Sequence, residues 1–249
     1  MGATALDSRR IVLTRPTAGR LADLLRGLGA FVEHVPLIEI GDAADGGAAL
    51  TAALGQLDSF DWLVVTSANG ARRLGAVARA SAVKVAAVGA VTAATVSALT
   101  GRPVDLVPAE QNTDGLLAEF PRTPSSILLA QGNLAGSDLA DGLRSIGHQV
   151  TTVEAYVTRH RTLSGDERDA LHSADVVVLS SGSAVDAWLA AERAPIGAAI
   201  VTIGPKTAAV AAKRGLRIAA VSASPSDDDI VNAVAGVLRG RAARRARPM

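Results

Sequence analysis

The chain has no cysteine among its 249 residues. This absence excludes disulfides, thiolate catalysis, iron–sulfur clusters and cysteine zinc sites together. Aromatic residues make up only 2% of it. Trp62, Trp188, Tyr156, Phe31, Phe60 and Phe120 are too few for the stacking platforms that bind single-stranded nucleic acid, and Tyr156 is the only tyrosine. No apolar run approaches the roughly 18 residues of a membrane span, and Met1 to Arg10 holds no apolar signal core. A soluble cytoplasmic protein with neither membrane nor nucleic-acid partner is therefore expected. His34, His148, His160 and His172 have no ligand spacing, so no metal is expected.

What is present reads as globular: 49% hydrophobic and 20% charged residues, in a length that admits one large or two small domains. The net charge of +1 conceals an asymmetry, because Arg239, Arg241, Arg244, Arg245 and Arg247 fall at the very end. The rest of the chain carries 20 basic against 24 acidic residues. The body is mildly acidic, and the basic end reads as a frayed, solvated terminus after the last helix.

Short β-branched runs alternate with amphipathic stretches. Strands are expected at Ile11–Thr14, Val32–Val35, Trp62–Thr66, Val85–Val88, Val104–Val107, Ile127–Ala130, Val150–Val153, Val176–Ser180, Ala199–Ile203 and Ile218–Val221. Their near-continuous apolar character is that of parallel strands covered on both faces. Helices such as Ala18–Leu28 and Ser137–Ile146 carry Leu or Ile at helical spacing and stop at Gly29 and Gly147, where a C-terminal glycine belongs. Strand and helix in alternation mean an α/β fold.

The chain also repeats itself. Leu63 to Gly70 recurs as Val177 to Ala184, Ala87 to Ala94 recurs as Thr202 to Ala209, and the unit from Ile11 to Ile40 recurs from Ile127 to Arg159. Two similar five-stranded domains follow. The periodicity permits consecutive domains meeting near Pro121 to Pro124, and equally a chain that begins one domain, builds the second, and returns.

Two matched pairs of turns are the candidates for the chemistry. Thr66-Ser67-Ala68-Asn69 and Ser180-Ser181-Gly182-Ser183 each leave a strand and open a helix, where parallel sheets bind ligands and free N–H groups and hydroxyls suit anions; such residues also serve as plain helix caps. Gly89 to Thr92 and Gly204 to Thr207, the latter containing Lys206, form the second pair, with glycines that let a ligand approach the backbone. Arg15 follows the first strand, placed for a carboxylate or for a surface ion pair. No Walker A loop, no GxGxxG after a strand and no GxSxG elbow is present.

In their order and spacing, Leu63 to Gly70, Ala87 to Ala94, Gly132-Asn133-Leu134, Val153 to Thr158 and Ile203 to Ala208 resemble the uroporphyrinogen-III synthase family, from Ile11 to about Leu238. The resemblance implies two flavodoxin-like parallel-sheet domains, residues 1–36 with 160–249 and residues 41–155. Linker strands 37–40 and 156–159 would join them around a hinged cleft. It also implies a reaction without a cofactor, and a monomer is expected. Its small-molecule substrate, hydroxymethylbilane, loses its terminal hydroxyl, ring D attacks through its substituted position to give a spiro intermediate, and re-closure yields uroporphyrinogen III. Uncatalysed closure gives the type I isomer.

On this reading the substrate's eight carboxylates are bound by Arg15, Thr66, Ser67, Asn69, Gly89, Thr92, Gly132, Asn133, Ser180, Ser181, Gly204, Lys206 and Thr207. Gln131 stands where the family commonly has Arg, and Leu134 to Ser137 include no basic residue. Tyr156 matches the family tyrosine and is the candidate catalytic residue, since a phenol carries its proton at neutral pH and can give it to the departing hydroxyl. A ligand-sensing module of the same fold, without catalysis, is the alternative.

Overall fold

The structure, a computed structural model, describes residues 6–75, 81–191 and 197–245. Along the chain run β1 (Arg10–Leu13), α1 (Gly19–Gly27), β2 (Phe31–His34), β3 (Ile38–Gly41), α2 (Ala48–Gly55), β4 (Trp62–Val65), α3 (Ala68–Arg73), β5 (Lys84–Ala87), α4 (Ala90–Thr100), α5 (Thr113–Glu119), β6 (Ser126–Gly132), α6 (Asp138–Ser145), β7 (Gln149–His160), α7 (Gly165–His172), β8 (Val176–Leu179), α8 (Gly182–Ala191), β9 (Ala199–Thr202), α9 (Pro205–Lys213), β10 (Ala220–Val221) and α10 (Asp227–Arg245). They form an α/β protein with two five-stranded sheets, ordered β10-β9-β8-β1-β2 and β3-β7-β6-β4-β5. Every neighbouring pair of the first is parallel, as are β7–β6, β6–β4 and β4–β5 of the second. The chain divides into two compact units, residues 1–39 with 159–249 and residues 40–158, and passes between them within β3 and within β7.

The apolar runs are explained by cover on both faces. Leu63, Val65, Leu128 and Ala130 share one buried cluster with Ala71 of α3 and Val96 of α4, whereas Val64, Ile127 and Leu129, of opposite parity, pack with Leu116 of α5 and Leu139 and Leu143 of α6. In the other unit Ile11, Leu13, Val176 and Val178 meet Leu21 and Leu25 of α1 and Ile230 and Val234 of α10. Gly29 and Gly147 end α1 and α6 at φ +89° and +100°. In both places the next residue's N–H returns to the helix, from Ala30 to Leu25 O at 3.2 Å and from His148 to Leu143 O at 3.2 Å, closing the same left-handed C-terminal motif.

Three expectations need correction. Val104–Val107 is not a strand: Pro103 and Pro108 bracket it, and Asp105 Oδ2 accepts the Val85 N–H at 2.8 Å, so pairing stops at one bridge between Ala86 and Leu106. β3 supplies the second sheet's fifth strand instead. The strand expected at Ile218–Val221 shortens to Ala220–Val221. The basic end is not a frayed tail within the described residues, because α10 continues to Arg245 and Arg241 donates to the carbonyls of Asp175, at 2.9 Å, and Gly197. Arg247 lies outside the described residues, as do the side chains of Arg244 and Arg245.

α7 opens with a capping box. Ser164 Oγ accepts from Glu167 N at 3.2 Å, and Glu167 Oε2 accepts from Ser164 N at 2.9 Å. Arg161 donates to Glu167 Oε1 at 2.9 Å and to Pro36 O at 2.7 Å. The Ser164 amide foremost, with the Arg161 guanidinium, holds the Glu167 carboxyl below the usual carboxylate range. A depressed folded-state value means stability that is present above the unfolded-state value of ~4.3, and lost as pH falls through the lower folded-state value. Wild type is therefore expected to melt above Glu167→Gln at pH 7, with the gap closing progressively below about pH 4. Thermal melts across that range check this, and a gap that widens in acid contradicts it.

Candidate functional site

Because β7, β6, β4 and β5 are adjacent and parallel, their carboxyl ends line one edge of one sheet. The residues at that level are Gly132 with Asn133, Tyr156, which stands opposite Gly132 in a β7 that runs on to His160, Thr66 with Ser67, and Gly89. In the other unit the adjacent parallel strands β9, β8 and β1 end at Gly204, at Ser180 with Ser181, and at Arg15. Each unit thus gathers its own set, at the edge where open parallel sheets bind ligands.

Tyr156 is the most fully built of these positions. Its half-buried ring packs on the cluster containing Leu128 and Ala130. Ser67 Oγ donates to Tyr156 Oη at 3.0 Å and accepts from Gly70 N at 3.1 Å, so the serine both caps α3 and fixes the phenol. With its oxygen accepting from Ser67, the phenol's own proton points elsewhere. Gly132 leaves the ring its place, since a Cβ there would stand 2.6 Å from Tyr156 Cζ. Asn133 N donates to Tyr156 O at 3.1 Å.

The duplicated turns share their capping geometry and differ in their second contacts. Ser181 Oγ accepts from Ala184 N at 3.0 Å, as Ser67 does from Gly70, but its other partner is Ser183 Oγ at 3.0 Å. Asn69 Oδ1 accepts from Arg72 at 3.0 Å, and Thr66 and Ser180 are half-buried beside their capping serines. Thr92 and Thr207 occupy the same position, the third residue of α4 and α9, and each is 6% exposed. Lys206 is exposed.

Gly89 and Gly204 differ more than their sequences do. At Gly204 nothing lies within 4 Å of where a Cβ would be, whereas at Gly89 Gln111 Oε1 lies 3.0 Å away and accepts the Ala90 N–H at 2.9 Å. Gln111 was not expected from the sequence; a lone glutamine in a loop carries no signal of which helix it reaches. Arg15 is committed to Asp227 at 2.9 Å, and His34 Nε2 meets the Arg15 carbonyl at 2.7 Å. Among the described residues, no three His, Cys, Asp or Glu side chains converge as a metal site, and no helix is long and apolar enough to cross a membrane.

The family model described as uroporphyrinogen-III synthase HemD matches residues 19–232. The chloroplastic uroporphyrinogen-III synthase of Oryza sativa subsp. japonica is 29% identical over 209 residues, 77% of this chain and 68% of that protein. The uroporphyrinogen-III synthase of Synechococcus elongatus is 29% identical over 233 residues, 83% and 84% respectively. Of solved structures, a mutant uroporphyrinogen III synthase from the extremely thermophilic bacterium Thermus thermophilus aligns with TM-score 0.72 at 16% identity, over 94% of this chain and all of that one. The Helicobacter pylori enzyme aligns with TM-score 0.63 at 17% identity, over 92% and 99%. These two likenesses establish a shared fold.

Proposed function

The chain belongs to the uroporphyrinogen-III synthase family, and from that membership we propose that it closes hydroxymethylbilane to uroporphyrinogen III, with ring D inverted, in tetrapyrrole biosynthesis. The observation that carries the site assignment is the Ser67–Tyr156 hydrogen bond at the carboxyl edge of the second sheet. Tyr156 gives its proton to the substrate's terminal hydroxyl, which leaves as water; Ser67, still donating, steadies the phenolate left behind. Ring D then attacks through its substituted carbon to give the spiro intermediate, and that carbon's bond to its original methylene bridge breaks. The freed bridge joins the open carbon of ring D, whose departing proton restores the phenol of Tyr156. The remaining work is positioning, which holds one ring carbon nearer than another.

The carboxylates are held at the duplicated turns, foremost at the Gly204 turn, where a Cβ on the buried glycine would find open space. The two units act as flavodoxin-like domains, residues 1–36 with 160–249 and residues 41–155, with 37–40 and 156–159 between them. Arg15 serves its ion pair with Asp227 first. A non-catalytic sensing role is not favoured, since the family match spans nearly the whole chain.

Purified protein supplied with hydroxymethylbilane, with the products separated by chromatography, tests this directly. The type III isomer is expected to dominate. Type I alone, at the rate of the protein-free control, refutes the assignment.

A further inference from the structure

β6 and β7 run in register from Ser126 opposite Gln149 to Gln131 opposite Glu154, and then slip: Gly132 stands opposite Tyr156, and Ala155 has no partner. A bulge of this kind re-aims side chains. Here it turns two neighbours the same way, because Ala155 and Tyr156 both pack on the cluster of Leu128 and Ala130, which strict alternation forbids. Just past the slip, the Asn133 side chain behaves like one more peptide group of β6. Its Oδ1 accepts the Thr158 N–H at 2.8 Å and its Nδ2 donates to Thr158 O at 3.3 Å, while its backbone N–H holds Tyr156 O. β7 is thereby pinned at the phenol-bearing residue and again two residues on.

We infer that Asn133 is a positioning residue for Tyr156 and not a contact for the substrate: its carboxamide holds the bulge that seats the ring over Gly132 and brings the phenol to Ser67. Each polar end of that carboxamide makes one bond to the Thr158 backbone. The inference rests on the reading of Tyr156 as proton donor for its kinetic consequence, though not for its structural one.

Kinetics and spectroscopy together test it. Asn133→Ala is expected to lower kcat about 10- to 100-fold, as misplacement of a reacting group by an ångström does, with KM within about twofold of wild type. Asn133→Asp keeps the acceptor for the Thr158 N–H and is expected to fall between the two, which also covers the case of an alanine variant that fails to fold. In a Tyr156→Phe background, Asn133→Ala should change kcat less than about twofold, since its effect passes through the phenol. Tyr156 is the only tyrosine, so tyrosine labelled at Cζ alone gives a single NMR signal, which Asn133→Ala should shift or broaden. An unmoved signal, a raised KM at constant kcat, or an undiminished loss in the Phe background overturns the inference. If the signal moves while Tyr156→Phe is fully active, positioning stands and the proton-donor role fails.

Discussion

Tyr156→Phe is expected to slow formation of the type III isomer by about 10²- to 10⁴-fold, the usual worth of a positioned general acid, with little change in melting temperature. The ring itself stays. Phenylalanine fits over Gly132 and packs on the same cluster, because only the hydroxyl is removed. Ser67 keeps its cap of Gly70 N, and its half-buried hydroxyl can turn to water. Losing one neutral hydrogen bond costs about 1 kcal/mol, too little to account for such a loss of rate through unfolding. Product analysis sharpens the reading, since any substrate the variant leaves to close by itself appears as type I. A folded variant that makes the type III isomer at a near-normal rate sinks the proton-donor role.

Gly204→Val is expected to raise KM by about 10- to 100-fold while leaving kcat and stability nearly unchanged. Hydrogen bonds to a charged group are worth about 1.5 to 3 kcal/mol, so blocking one backbone approach to a substrate carboxylate is enough. The substitution is sterically clean. Gly204 sits in extended backbone at φ 169°, which a β-branched residue adopts readily, and its Cβ meets nothing within 4 Å. Gly89→Val gives a less direct reading, since its Cβ would press on Gln111 and disturb the bond to Ala90. Thr207→Ala and Thr92→Ala, at buried positions, should shift KM far less. A wild-type KM for Gly204→Val removes the Gly204 turn from the substrate site.

The sequence by itself determined what short-range chemistry controls. Runs apolar at every position required strands covered on both faces, glycine at the helix ends required the left-handed turns found at Gly29 and Gly147, and serine after a strand required the caps found at Ser67 and Ser181. The repetition of those signals made the α/β class and the duplicated turns readable, and the single tyrosine stood out by its rarity. Only the tertiary structure decided what depends on partners far away along the chain. Arg15 was placed equally for an anion contact and for an ion pair, and only the fold brought it Asp227, 212 residues later, as its ion-pair partner. Val104–Val107 looked like a strand until Asp105 took the Val85 amide that a ladder would have used, and β3 took the fifth place in the sheet. The slip between Gln131 and Gly132, which carries Tyr156 to Ser67, follows no local preference of either strand. It exists because Asn133 completes the ladder with its side chain and Gly132 leaves room for a ring, and each of those contacts becomes favourable only once β6 and β7 lie side by side.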